Sequence, residues 1–169
     1  MSRYRPPREK SSPYITRVGY SALNDELKQL WKVTRPEVTQ KVSEAAALGD
    51  RSENAEYIYG KKQLREIDSR IHFLSKRLDE ITVVDKPPND VDKVYFGARV
   101  TLADENGALL SYRLVGPDEF DREPEYLSID SPMARALLKK IVDDEITLVQ
   151  ANEERRYTLI EICYETATG

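Results

Sequence analysis

Apolar residues recur every three or four positions through the first half of the chain. Between residues 51 and 81 these positions alternate three and four apart without a gap, and they are Leu64, Ile67, Ile71, Leu74, Leu78 and Ile81. Such a heptad seam is typical of a helix that packs along its whole length against another helix. The pattern therefore predicts a helix over 51–81.

A second, less regular apolar series predicts another helix over 20–48. Pro36 lies inside this series, and it should break the helical hydrogen bonding near Thr34 and Arg35 because it has no backbone N–H. Gly49 supplies the residue type that commonly ends a helix. Two seamed helices joined by so short a turn must fold back on each other, which predicts an antiparallel coiled-coil hairpin over 14–84.

Each arm of about 30 residues would be roughly 45 Å long at about 1.5 Å per residue. The segment 49–54 is then the tip of the hairpin. Beyond the proline-containing linker 85–92, the apolar pattern changes to alternation, with five strand candidates and one short helix opened by Ser131 and Pro132. This order predicts a small antiparallel sheet packed on one helix, an α+β domain over 93–169.

Composition narrows the classes of function. The chain has 169 residues, of which 33% are charged, and its net charge of −4 argues against sequence-blind coating of DNA. A single cysteine excludes an internal disulfide and favours a cytoplasmic protein. No apolar run reaches the roughly 20 residues that cross a bilayer. Residues 1–13 are basic and rich in proline, which predicts a disordered tail.

Two carboxylates, Asp50 and Glu53, lie at the predicted tip. Their spacing is that of a capping box, in which they would only fix the start of the second helix. They also suit Mg²⁺, which takes one or two carboxylates together with water and phosphate. Two ligands are too few for a stable site, so a metal role requires a partner that supplies the remaining oxygens. Both interpretations stay open from the residues alone.

Cations follow the tip along the second helix. They are Arg51, Lys61, Lys62, Arg65 and Arg70. Tyrosine rings at 57 and 59 lie among them, a combination that suits single-stranded nucleic acid; the alternative is a solvated face of ion pairs with Glu66 and Asp68. Elsewhere His72 is expected on a helix flank, and Trp31 and Cys163 are expected in the interior.

Several stretches resemble a known family. "RPEVTQKVSEAAALGDRSENAEY", "KKQLREIDSR", "VYFGARV" and "LSIDSPMARALLKK" are similar to the bacterial Gre transcript-cleavage factors, most closely to the GreB members. The resemblance covers about 14–165 and runs through both predicted domains in order. It implies that the C-terminal domain is FKBP-like, without implying prolyl isomerase activity.

The resemblance also implies a function. A Gre factor inserts its coiled coil into the secondary channel of bacterial RNA polymerase and stimulates cleavage of the backtracked nascent RNA at its 3′ end. Asp50 and Glu53 match the residues that help to hold the second Mg²⁺ of the polymerase, and Asn54 and Tyr57 match residues that support the tip. Such a protein has no active site of its own, needs no stably bound cofactor, and acts on no small molecule or membrane.

Asp130, Ser131 and Pro132 match the loop that docks on the rim of the channel. The chain departs from the family pattern at 142–144, where Val-Asp-Asp replaces a usual Gly-Asp pair, and at "ANEERR", so the geometry of the last hairpin is open. Two other functions are considered: a regulator that enters the channel without promoting cleavage, and a coiled-coil adaptor, which would leave the acid pair at the tip unexplained.

Overall fold

The computed structural model describes residues 9–49 and 54–165 of the chain. These residues form two compact units. One is helical and extends from Val18 to Ile81; the other contains the residues from Thr82 onward together with the N-terminal segment up to Arg17. The predicted architecture, a helical hairpin followed by a sheet domain with one short helix, is confirmed, although the sheet is mostly rather than fully antiparallel.

The first arm of the hairpin is helical over its full length. It consists of α1 (Arg17–Gln29), a π-helical segment (Leu30–Thr34) and α2 (Arg35–Ala47). Pro36 explains the widened segment, because a proline has no N–H to donate and its ring clashes with the carbonyl four residues earlier. The N–H of Arg35 instead donates to the carbonyl of Leu30, five residues back. The irregularity thus lies where the sequence predicts it.

The second arm is α3 (Ala55–Glu80), which runs antiparallel to the first. The heptad seam faces the partner helix: Ile67, Leu74 and Ile81 are buried, and the seam residues between them are half-buried. Gly60 is also buried on this line, and a Cβ there would lie 2.7 Å from Cγ2 of Val42 on α2. The two helices therefore pack directly against each other where the second helix has no side chain.

The sheet unit contains two short strands, β1 (Tyr14–Ile15) and β2 (Thr82–Val83), and a main sheet of five strands in the order β5-β4-β3-β7-β6. Those five are β3 (Arg99–Ala103), β4 (Leu109–Val115), β5 (Tyr126–Ser128), β6 (Glu145–Gln150) and β7 (Glu153–Cys163). All neighbours in the main sheet are antiparallel except β4 and β5, which run parallel. That pair differs from the fully antiparallel sheet that the sequence predicts, because the long connection between them, including a 3₁₀ turn at Phe120–Arg122, allows a crossover.

One short helix, α4 (Pro132–Leu137), packs against the sheet, and its Ala134 and Leu137 are fully buried. The core between them contains Val100, Leu102 and Leu159 from the central strands. In β7 the pairing with β3 shifts register, so that Ile160 is an extra residue. This bulge exchanges the inward and outward faces of the strand. It explains why Cys163 is exposed, contrary to the prediction that it is buried.

The N-terminal segment is part of the sheet unit. Strand β1 (Tyr14–Ile15) pairs in parallel with β2 (Thr82–Val83), and the carbonyl of Pro13 accepts from the N–H of Thr82. The predicted boundaries differ accordingly: the helical unit begins at Val18 rather than at residue 14, and Ser12 and Pro13 are hydrogen-bonded although they were placed in a disordered tail. Residues 1–8 of that tail lie outside the described residues.

A buried carboxylate anchors this segment. Glu119 is 1% exposed, and it accepts hydrogen bonds from the N–H and the hydroxyl of Thr16 and from the N–H of Gly116. Only a glycine fits at 116, because a Cβ would lie 2.1 Å from the carbonyl oxygen of Tyr14. These contacts join residues far apart in sequence, and no local pattern reveals them.

The final hairpin closes in a two-residue turn. Ala151 and Asn152 connect β6 to β7, and both have positive φ, 49° and 64°. This is the twist that two-residue hairpins prefer. Asp143, in the Val-Asp-Asp stretch, has φ of 75°, a conformation that favours glycine. The chain therefore keeps a regular hairpin despite its departures from the family pattern.

Candidate functional site

The second helix begins at an asparagine next to the predicted tip. The side-chain oxygen of Asn54 accepts from the N–H of Tyr57, 3.1 Å away, so Asn54 is the N-cap of α3. Its side-chain nitrogen donates to the carbonyl oxygen of Ala45 on the first arm, at 2.7 Å. One side chain thus caps the second helix and ties it to the end of the first.

This geometry corrects the predicted start of the helix. The capping-box interpretation places the N-cap at Asp50 and the helix start at residue 51, whereas the helix starts at Ala55. Asparagine and aspartate cap about equally well, so local sequence did not distinguish the candidates. Asp50, Arg51 and Glu53 lie outside the described residues. The cap of α3 is therefore accounted for without either of the two carboxylates.

The first turns of α3 carry an aromatic–cation pair. Nζ of Lys61 lies 6.0 Å from the centre of the Tyr57 ring, and Tyr57 is half-buried. Large apolar side chains are exposed in the same region, with Leu48 at 79% and Tyr59 at 69%. The helix ends near the tip therefore display rings and apolar surface beside the cations.

The predicted cations divide into two groups. Arg70 forms a two-pronged ion pair with Glu26 of the first arm, with N–O distances of 2.7 and 3.0 Å. Lys61, Lys62 and Arg65 form no ion pair with any residue that the structure describes. Asp68, expected to neutralise such cations, pairs with Arg35 instead, at 2.7 Å. The group nearer the tip is thus available to an anion, and Arg70 is already neutralised.

A shallow groove follows one face of α3. It is lined by Lys62, Arg65, Glu66, Ser69, Arg70 and Phe73. These residues recur three and four apart, so they share a helix face. Phe73 is 46% exposed, and the guanidinium carbon of Arg70 lies 5.4 Å from the centre of its ring. Phe73 and Gly60 were not selected from the sequence. For Phe73 the available signal was an aromatic residue directly before the seam residue Leu74, a position that the heptad pattern leaves outside the seam.

The predicted docking loop has internal partners in the sheet unit. Asp130 accepts from the N–H of Ser12 at 2.9 Å and also from its hydroxyl. Ser131 caps α4 by accepting from the N–H of Ala134 at 3.2 Å, and Pro132 is the exposed first residue of that helix. Asp130 and Ser131 therefore hold this loop in shape, which leaves Pro132 as its exposed member.

Two wider properties bear on the chemistry. In residues 9–49 and 54–165, no group of three or more histidine, cysteine, aspartate or glutamate side chains could hold a metal ion. In the same residues no helix is both long and apolar enough to cross a membrane.

Comparisons with known proteins match both units. A family profile described as the N-terminal part of a transcription elongation factor matches residues 13–83, and the GreA/GreB C-terminal profile matches 88–164. The chain is 58% identical to the transcription elongation factor GreB of Pseudomonas aeruginosa, with 99% of each chain covered. It is 56% identical to that of Haemophilus ducreyi, with 92% of this chain and 96% of the relative covered.

Among solved structures, GreA factor homolog 1 of Thermus thermophilus is 25% identical, covers 89% of this chain and 97% of its own, and has a TM-score of 0.40. The sequence matches are far stronger, since they extend through both units at more than half identity. The chain therefore belongs to the GreA/GreB family of transcription elongation factors.

Proposed function

We propose that this elongation factor enters the secondary channel of bacterial RNA polymerase and stimulates cleavage of backtracked RNA. One observation carries the proposal: Asn54 caps α3, so the start of that helix does not require the carboxylates at Asp50 and Glu53. In this proposal the two acidic side chains, in the short connection between two long helices, take part in a partner's site.

The chemistry of the pair fits a shared Mg²⁺. Two carboxylates supply part of the six oxygens that this ion prefers, and the polymerase and the RNA phosphates would supply the rest. When bound, a second metal ion stabilises charge that develops on the reacting phosphate and activates water. In this proposal Asp50 and Glu53 orient the ion. Asn54 joins the end of the first arm to the start of α3 through its bonds with Ala45 and Tyr57.

The unpaired cations would guide the RNA. Lys61, Lys62 and Arg65 lie within the first three turns of α3, and phosphate neutralisation by such side chains is the main source of affinity for nucleic acids. Arg51 would join them from the tip. Arg70 is excluded from this group because Glu26 already neutralises it.

Docking on the polymerase would use the loop at 130–132. Because Asp130 and Ser131 bond within the unit, their proposed role is to hold the exposed Pro132 in position. Any direct contact of the Asp130 carboxylate with polymerase would have to compete with its two hydrogen bonds from Ser12.

The test is the replacement of Asp50 by Asn in a backtracked elongation complex with labelled RNA. The change removes one negative charge and keeps the side-chain shape. Single-turnover cleavage should fall roughly a hundredfold, since metal charge stabilisation is worth several kcal/mol and each 1.4 kcal/mol is about tenfold. Added Mg²⁺ should restore part of the rate by mass action, while polymerase binding and helix content stay the same.

Glu56→Gln is the matched control. Glu56 is an exposed acid in the first turn of α3, two residues after the N-cap Asn54. The change therefore removes the same charge from a position close to the acid pair. It should leave cleavage within about twofold of the wild type. Equal rates for Asp50→Asn and the wild type at every Mg²⁺ concentration would remove the metal role of Asp50. A wild-type rate no higher than that of polymerase alone, with binding intact, would support instead a factor that enters the channel without promoting cleavage.

A further inference from the structure

The groove on α3 ends at an aromatic ring that the proposed function does not use. Phe73 is 46% exposed, and it immediately precedes the buried seam residue Leu74. The guanidinium of Arg70 lies against this ring, at 5.4 Å from its centre. The ion pair with Glu26 holds that guanidinium in place, so the ring has a fixed cationic neighbour.

The remaining lining of the groove determines which ligand suits this surface. Lys62 and Arg65 form no ion pair with any described residue, and Ser69 adds a hydroxyl. Cations that follow a backbone, together with a ring on which a base stacks, are the features that bind single-stranded nucleic acid without reading its sequence. Of the six residues that line the groove, Glu66 is acidic and three are cationic. The groove therefore carries a net positive charge, which suits a nucleic-acid backbone.

We propose that Phe73, supported by Arg70, is a stacking platform for a base of extruded single-stranded RNA. The proposal rests on the proposed function, in that the RNA must run along α3 from the tip. It changes the predicted role of Arg70 from binding phosphate to forming part of the stacking surface. It also extends the RNA path beyond the cations at 61–65.

Helix geometry sets the length of RNA that reaches the platform. Phe73 lies 18 residues after Ala55, about 27 Å along the axis at about 1.5 Å per residue. A stacked strand rises about 3.4 Å per nucleotide, so roughly eight nucleotides span this distance. Phe73 should therefore matter for long extruded tails and have no effect on short ones.

The hairpin offers a matched control for the ring. Trp31, in the π-helical segment of the first arm, is 59% exposed, and Arg35 lies 5.8 Å from its ring centre. This refutes the prediction that Trp31 is interior. It is an exposed ring beside an arginine, as Phe73 is, but it does not line the groove on α3. Trp31→Ala thus removes an equivalent ring from a place where the proposal assigns no RNA contact.

The experiment uses backtracked complexes of bacterial RNA polymerase with extruded RNA tails of 3 or 12 nucleotides. Cleavage is measured at limiting concentrations of wild type, Phe73→Ala, Phe73→Tyr and Trp31→Ala. Loss of one stacked base should raise the half-saturating concentration of Phe73→Ala about fivefold or more on the long tail. Phe73→Tyr should match the wild type, and neither tail should respond to Trp31→Ala.

A second readout does not depend on cleavage. With 4-thiouridine placed eight or nine nucleotides beyond the cleavage position, toward the 3′ end of the 12-nucleotide tail, irradiation should cross-link the RNA to the segment of α3 around Phe73. Cross-linking there in a complex that is not cleaved would keep the platform and remove the cleavage proposal. Normal cleavage with cross-links only elsewhere, or an equal loss on both tails for Phe73→Ala, would overturn the platform. No cross-link to the protein would overturn the platform when cleavage is normal, and both proposals when cleavage is also absent.

Discussion

The helical unit and the sheet unit bury their apolar residues in different ways. In the hairpin the buried residues are few and widely spaced along each arm, such as Leu23 and Val38 on the first arm and Ile67 and Leu74 on α3. In the sheet unit, twelve buried residues from the strands, α4 and adjoining loops form one cluster. Such widely spaced contacts leave most of each helix exposed, whereas a cluster encloses its members from all sides.

This difference matches the different roles of polar side chains in the two units. Nearly every side chain with a proposed RNA or metal role belongs to the hairpin, where few residues are needed for packing and the rest are free to contact a partner. The sheet unit instead uses polar side chains internally: Glu119 and Asp130 both hold the N-terminal segment. Glu119 and Asp130 therefore have a structural role, which their internal hydrogen bonds indicate, whereas the acids proposed to bind metal belong to the hairpin.

The largest expected effects come from removing one buried leucine in each unit. Leu74 and Leu114 are both fully buried. Leucine-to-alanine changes in cores cost about 2–5 kcal/mol, depending on how far the surroundings collapse into the cavity. Two helices can close on a gap more readily than an enclosed core, so we expect Leu74→Ala near the lower end and Leu114→Ala near the upper end.

Hydrogen exchange, read separately for amides of α3 and of β3, measures the two effects in one chain. Each substitution should lower the protection of its own unit more than that of the other. Equal losses of free energy from the two changes would contradict the contrast between widely spaced contacts and a cluster.

The next effect concerns the tie at the end of the hairpin. Asn54→Ala removes the helix cap, worth about 1 kcal/mol, and the bond to the Ala45 carbonyl, worth about 1 kcal/mol more. Asn54→Asp keeps the acceptor that caps α3 and loses only the donor. Urea unfolding followed by circular dichroism should therefore show about 2 kcal/mol lost for Ala and about half of that for Asp. Identical losses would mean that the cap contributes nothing.

A smaller effect is expected at Gly60, where the two helices pack directly against each other. Gly60→Ala places a Cβ 2.7 Å from Cγ2 of Val42, a stiff β-branched side chain. Overpacking costs about 1–3 kcal/mol, and the better helix propensity of alanine returns about 0.5–1 kcal/mol. The net loss in urea unfolding should be about 1 kcal/mol. In the Val42→Ala background, Gly60→Ala should become neutral or stabilising; an unchanged penalty there would place the clash elsewhere.

The smallest effect is expected from the exposed ion pair that links the arms. Arg35 and Asp68 are each more than a third exposed and 2.7 Å apart. Such pairs contribute about 0.2–1 kcal/mol, and salt screens them. A double-mutant cycle with Arg35→Gln and Asp68→Asn should give a coupling in this range at low salt and almost none in 1 M NaCl. A coupling that persists in high salt would require a less solvated pair.

Much of the fold follows from the chain's own periodicity. The seam over Leu64–Ile81, the strands beyond the linker and the short helix after Ser131 are all where the apolar pattern and the capping residue predict them. The proline at 36 predicts the position of the π-helical segment. These features depend on neighbours within a few residues, which a single sequence contains. The acid pair at 50 and 53 was likewise selected from sequence, and its role stays a prediction.

Tertiary structure decided the features that depend on distant partners or on competition between equal candidates. Asp50 and Asn54 are both good caps, and the contact of Asn54 with Ala45 favours Asn54. Asp130 bonds to a serine 118 residues away, and Glu119 to a threonine 103 residues away. The bulge at Ile160, which turns Cys163 outward, exists only in the pairing with β3. The local pattern limits each helix and strand, but it carries no information on which distant polar group will satisfy a buried one.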